Sequence, residues 1–133
     1  MSRRIVVGYT PDSFGRTALE YAAAESRLRT TGLVVVNGTR GDSLVDDRYA
    51  ARGELDAVAR DLESLGVEVE VRQTMGADIA EQVLEVAEEV GAELIVIGLR
   101  RRTPVGKLIM GSVAQRILLD AHCPVLAVKP HAE

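Results

Sequence analysis

A chain of 133 residues is long enough to bury a core without metals or disulfides, and its 47% apolar content comes mainly from Val, Leu, Ile and Ala, with aromatics at 3% and no Trp. Lys and Arg number 16 against 20 Asp and Glu, a formal charge of -4 that disfavours broad attraction to nucleic acid or anionic membranes and leaves any anion site to be local. The single cysteine, Cys123, excludes a disulfide framework and a cysteine-based zinc cluster, and His122 and His131 add no metal-ligand spacing.

The N-terminal apolar run is too short for a signal segment, and nothing later approaches the roughly 20 residues of a membrane span. The expectation is a cytoplasmic domain occupying residues 1–133. Ile5, Val6 and Val7 form a short β-branched run, the pattern of a buried parallel strand. Asp12 or Ser13 then caps a helix whose apolar side, Leu19, Ala22, Ala23 and Leu28, recurs until Gly32 stops it. Leu33 to Val36 gives a second strand. Gly38 to Asp47, with two glycines and three aspartates, reads as a loop.

Leu55, Val58, Ala59 and Leu62 fall at i, i+3, i+4 and i+7 and predict a second helix ending at Gly66. Val67, Val69 and Val71 alternate with Glu68, Glu70 and Arg72, so the third strand has one polar face and belongs at a sheet edge. Asp78 and Glu81 form a capping pair for a third helix lined by Ile79, Val83, Ala87 and Val90 and closed by Gly91. Leu94 to Ile97 is the fourth strand. A last helix from about Ser112 to Ala121 buries Val113, Ile117, Leu118 and Ala121, and Val125 to Val128 is the fifth strand, between Pro124 and Pro130.

Five strands alternating with four helices imply right-handed crossovers and a parallel sheet covered on both faces, a doubly wound α/β fold of strand order 3-2-1-4-5. Such a sheet has a switch point between strands one and four, where ligands bind beyond the strand carboxyl ends. Two segments meet there: Gly8-Tyr9-Thr10, and the stretch from Gly98 to Ser112.

That second stretch suits phosphate. Glycines admit close backbone approach, Ser112 offers a hydroxyl, the following helix presents free N–H groups, and Arg100, Arg101, Arg102 and Lys107 supply cations. The plainer alternative stands beside it: Gly98 ends a strand, Ser112 caps a helix and the arginines are solvated. Standard phosphate motifs fail. Gly106-Lys107 is preceded at Walker A spacing by Arg101 and followed by Leu108, no G-x-G-x-x-G follows the first strand, and Gln73 stands where a phosphoacceptor receiver needs Asp.

Gly98-x2-Arg101-x9-Gly111-Ser112, continuing into a helix and the Cys123-Pro124-Val125-Leu126 strand, resembles the G-x2-G-x9-G-[S/T] signature of the universal stress protein family. The likeness extends over the chain, including Ile5-Val6-Val7-Gly8, Ala18-Leu19, and Gly91 through Gly98. The resemblance implies a dimerising doubly wound domain that, in one branch of the family, binds ATP or AMP, with Mg2+ only as companion of the nucleotide. Carried over by position, adenine meets the backbone near Gly8, Thr10 and Gly38, and ribose and phosphates meet Ile97, Gly98, Arg100, Arg101, Gly111, Ser112 and Val113. Two positions depart from the pattern: Thr10 stands where nucleotide-binding members have Asp, and Arg101 where they have glycine. Arg101 blocks close backbone approach but brings a guanidinium that forks onto phosphate. The expected site is therefore one in which Arg100 to Arg102 replace some backbone contacts.

Other residues have simpler duties. Cys123 packs at the entrance to the fifth strand, His122 is a helix-end cation, Asp12 is a helix cap, and Asp46 and Asp47 are solvated. An exposed edge at Val125 to Val128 calls for an isologous antiparallel partner, the dimer that the resemblance also implies. With no general base or carboxylate pair at the crevice, the expected role is regulatory binding of an adenine nucleotide in the stress response, through an unnamed protein partner, rather than turnover. The alternative is a nucleotide-free dimer acting only through protein contacts.

Overall fold

A computed structural model describes residues 3–39, 52–76, 78–99 and 110–130. The elements are β1 (Arg4–Gly8), α1 (Ser13–Arg29), β2 (Gly32–Thr39), α2 (Arg52–Ser64), β3 (Val69–Met75), α3 (Ile79–Val90), β4 (Ala92–Gly98), α4 (Ser112–Asp120) and β5 (Val125–Val128). The strands form one parallel sheet of order β3-β2-β1-β4-β5, the doubly wound topology expected of the alternating pattern. In the middle of the sheet Val6 pairs with Val34 on one side and Ile95 on the other. Ile5, Val6 and Val7 are fully buried, because helices cover both faces of a central strand.

Alternation along the strands divides the core in two. Ile5, Val7, Leu33, Val35 and Val96 pack with Ala18, Ala22, Leu55 and Leu62 beneath α1 and α2. Val6, Val34, Val36, Ile95 and Ile97 pack with Ala80, Val83, Val86 and Ile117 beneath α3 and α4.

Several boundaries differ from the sequence expectation. Helix α1 ends at Thr30, whose φ of 52 is left-handed, while Gly32 already opens β2. The Thr30 N–H donates to the Arg27 carbonyl and the Thr31 N–H to the Ser26 carbonyl, a Schellman closure with threonine in the place glycine usually takes. Leu28 is 78% exposed, not part of the buried side. The buried stripe is instead Gly15, Ala18, Ala22 and Ser26, with Thr17 and Ala23 beside it. Its small side chains let the helix lie close to the sheet.

Strand β2 runs on to Thr39, so Gly38 is a strand residue, with Asn37, Gly38 and Thr39 paired to Gln73, Thr74 and Met75. The rest of the stretch read as a loop, with Asp46 and Asp47, lies outside the described residues. Val67 precedes β3 rather than starting it: its N–H donates to the Leu62 carbonyl and that of Gly66 to the Glu63 carbonyl, the same closure at the end of α2. Strand β3 does occupy a sheet edge. Its polar side chains are ion-paired, with Arg4 to Glu70 at 2.8 Å and Arg72 bridging Glu70 and Glu89. Gly91 closes α3 at φ 65, and Asp78 caps it by accepting from the Glu81 N–H at 3.1 Å. On α4, Ile117 is buried, but Leu118 is 38% exposed, and so is not the core residue expected.

Candidate ligand-binding crevice

The carboxyl ends of β1, β2 and β4 and the start of α4 converge on one crevice. It is lined by Gly8, Tyr9, Thr10, Gly38, Ile97, Gly98, Gly111 and Val113, all singled out in the sequence, and by Phe14, Gly15, Val36, Ile79, Val83, Ala114 and Ile117, which were not. Its volume of ≈ 100 Å³ is several times the ~10–15 Å³ that admits one water. Ser112 is not among the lining residues: it is exposed at the first helical position, and Gly111 holds the N-cap. Arg100, Arg101, Arg102 and Lys107 lie outside the described residues.

The loop after β1 is fixed by its own side chains. Asp12 caps α1 by accepting from the Gly15 N–H at 2.9 Å, and the same oxygen accepts from the Thr10 hydroxyl at 2.8 Å. The Asp12 N–H donates to the Thr10 carbonyl at 2.8 Å, closing a tight turn. This turn requires glycine at position 15: a Cβ there would stand 1.8 Å from the Thr10 carbonyl oxygen. Gly98 is constrained in the same way, since a Cβ would fall 2.6 Å from the Phe14 carbonyl oxygen. Gly98 thus serves the packing of β4 against the start of α1, whatever it offers a ligand.

Tyr9 is 3% exposed and anchored at three points. Its N–H donates to the Val36 carbonyl at 2.8 Å, its carbonyl accepts from the Asn37 Nδ2 at 2.9 Å, and its hydroxyl donates to Glu54 at 2.6 Å on α2. Burial, reinforced by the hydrogen bond to the Glu54 carboxylate, pushes the phenol up from 10.0 to about 12. Tyr9 is among the residues lining the crevice, while its ring packs with the core beneath α1 and α2 and its polar tip is held by α2. Asn37, fully buried, accepts in turn from Gln73 Nε2 at 3.2 Å. Asn37 carried no motif signal, and Gln73 was read only as the residue that stands where a receiver motif needs Asp.

Among the described residues, the side chains lining the crevice carry no formal charge. Apolar walls from Val36, Ile79, Val83 and Ile97 face the backbone of Gly8 and Thr10, an arrangement that fits a flat, uncharged ring and its hydrogen-bonding edge. On α4, Arg116 donates to Asp78 at 2.5 Å and to Asp120 at 2.7 Å, tying the N-cap of α3 to the middle of α4. The Glu81 N–H, and then Arg116, hold the Asp78 carboxyl below its ordinary range. Cys123 is partly buried against the α3–α4 core, and that burial pushes its thiol up, in keeping with a packing role. Among the described residues no group of three or more His, Cys, Asp or Glu is placed to hold a metal, and no helix is long and apolar enough to cross a membrane.

The model of the universal stress protein family matches residues 1–129. The chain belongs to that family. A universal stress protein of Mycolicibacterium smegmatis is 53% identical over 127 residues, 96% of this chain and 98% of that protein. The structure of an Archaeoglobus fulgidus universal stress protein superimposes with a TM-score of 0.82 at 32% identity, covering 97% of this chain and 100% of the other. A second structure, a universal stress protein from the same organism in complex with dAMP, gives a TM-score of 0.75 at 26% identity over 97% and 98% of the two chains. The universal stress protein signature is thus carried here on a sheet whose switch point is an open crevice, with Thr10 on its wall.

Proposed function

We propose that this universal stress protein binds an adenine nucleotide, ATP or AMP, at the switch-point crevice. The observation that carries this reading is the convergence of Gly8, Thr10, Gly38, Ile97, Gly98, Gly111 and Val113 on one cavity with apolar walls and, among the described residues, no charged lining side chain. The adenine lies between those walls against the backbone of Gly8, Thr10 and Gly38. The phosphates extend toward the start of α4 and the segment bearing Arg100 and Arg101, which replace with side-chain cations part of what glycine backbone supplies elsewhere. Ser112 is exposed at the first position of that helix and serves the phosphate end alone. Mg2+ enters only with the nucleotide. The complex of an Archaeoglobus fulgidus family member with dAMP supports an adenine ligand.

The role is regulatory. Nucleotide occupancy alters the contacts of a stress-response dimer with a protein partner, and the dimer pairs two copies of β5 as antiparallel edges. Support for that pairing comes from the position of β5 at the sheet edge, where Val125, Leu126 and Ala127 are only half-buried. Amide NMR spectra recorded with added ATP and AMP test the site. The expected shifts concentrate at Gly8, Thr10, Gly38, Gly98 and Gly111; shifts confined to other residues, or none at millimolar nucleotide, overturn the assignment.

A further inference from the structure

Gln82, in the first turns of α3, is 7% exposed and does not line the crevice. Its carboxamide nevertheless uses both of its hydrogens and its oxygen on the ends of β2 and β3, the first of which lines the crevice through Gly38. Nε2 donates to the Thr39 carbonyl and to the Gly76 carbonyl, each at 3.1 Å, and Oε1 accepts from the Thr74 hydroxyl at 2.5 Å. The Gly76 N–H donates to the same Thr39 carbonyl at 3.1 Å. One side chain of α3 thereby holds the last residue of β2 and the end of β3.

This matters to the crevice because of what lies on either side. Ile79 and Val83, on the same helix, line it, and so does Gly38, the residue before Thr39. The gap at Gly38 is narrow: a Cβ there would stand 3.1 Å from Gln82 Oε1 and 3.3 Å from Ile79 Cγ2. An amide alone among side chains of this size offers two donors and an acceptor together. A carboxylate has no donor, and a thioether of the same length leaves two buried carbonyls short of a partner.

We infer that Gln82 is a positioning residue for ligand binding: it sets the separation between the Gly38 end of β2 and the Ile79–Val83 wall, and so the affinity of the crevice, without touching the ligand. The inference rests on the adenine-nucleotide reading above.

Adenosine is the probe, since its charge does not change between pH 5.5 and 8 and its adenine occupies the part of the crevice concerned. Its affinity is measured for the full chain and for Gln82→Met, Gln82→Glu and Thr74→Val, with circular dichroism confirming the fold of each. The expected result is about a tenfold loss in Gln82→Met at both pH values, on the scale of one buried hydrogen bond, and about a threefold loss in Thr74→Val. Gln82→Glu binds worse at pH 8 than at pH 5.5, because only the protonated acid regains a donor, while the wild-type affinity is flat. That pH profile separates positioning from loss of packing, which is pH-independent, and it is read within one variant. Should Gln82→Met fail to fold, Gln82→Glu and Thr74→Val decide. If the wild-type chain binds and the folded variants match it within twofold, with a flat profile for Gln82→Glu, the inference is overturned and the adenine reading stands. If the wild-type chain does not bind adenosine or nucleotide, both fall.

Discussion

Gly8, Gly15 and Gly98 are alike in the sequence and different in the fold. A Cβ at Gly8 would approach nothing closer than Ile97 Cγ2 at 3.6 Å, an ordinary contact, whereas at Gly15 it would meet backbone at 1.8 Å. Gly15→Ala is therefore expected to lower stability by about 2 kcal/mol or more, as overpacking against immovable backbone does, while Gly8→Ala leaves it within ~1 kcal/mol. Urea unfolding of the two variants checks the contrast. Motif reasoning missed Gly15 because its constraint comes from the Thr10 carbonyl, a contact made only once the turn has closed. Tyr9 gives a second test at this scale. Below pH 10 its phenol is protonated folded and unfolded; between pH 10 and about 12 the unfolded chain releases the proton and the folded chain keeps it. Stability therefore falls as pH rises through that window. Denaturation curves across it are expected to fall less steeply for Tyr9→Phe, and equal slopes would contradict the buried hydrogen bond to Glu54.

At the scale of elements, the β-branched runs of β1, β2 and β4 were legible because buried parallel strands need no polar face, and Asp12, Asp78 and Gly91 announced helix ends through local chemistry. The errors share a cause. Leu28 and Leu118 were assigned to the core for being large and apolar, yet Leu28 follows the buried Ser26 by two residues, about 200° round the helix, and Leu118 follows the buried Ile117 by one, about 100°. Small side chains carry the contact face of α1, so size misled. Gly38 and Thr39 were read as the start of a loop because the stretch to Asp47 is polar, and became strand because they pair with Thr74 and Met75 and the Thr39 carbonyl accepts from Gln82, all remote in sequence. Thr30 ends α1 in a conformation unfavourable to a β-branched residue. Thr30→Gly is expected to raise stability by about 0.5–1 kcal/mol, measured by thermal or chemical unfolding; a lower value would contradict the Schellman closure described for α1.

For the whole molecule, alternation of strand and helix pointed to a doubly wound sheet, and the polar face that puts β3 at an edge favoured the order β3-β2-β1-β4-β5, with its switch point between β1 and β4. The lining from α3 was not legible. Ile79 and Val83 read as core positions, and only the packed fold shows that the core opens to the outside beside them. The assembly is the second question at this scale. Sedimentation is expected to show a dimer at micromolar concentration, and a charged substitution at the half-buried Leu126 is expected to yield monomer; a wild-type monomer under those conditions would contradict pairing through β5.

The crevice between β1 and β4 is proposed to hold an adenine nucleotide although Thr10 and Arg101 depart from the family pattern. Calorimetric titration of the purified chain with ATP and with AMP tests it most directly. Saturable binding with one site per chain, weakened at least tenfold in Arg101→Ala, is the predicted result, and no heat of binding at millimolar ATP or AMP would contradict it.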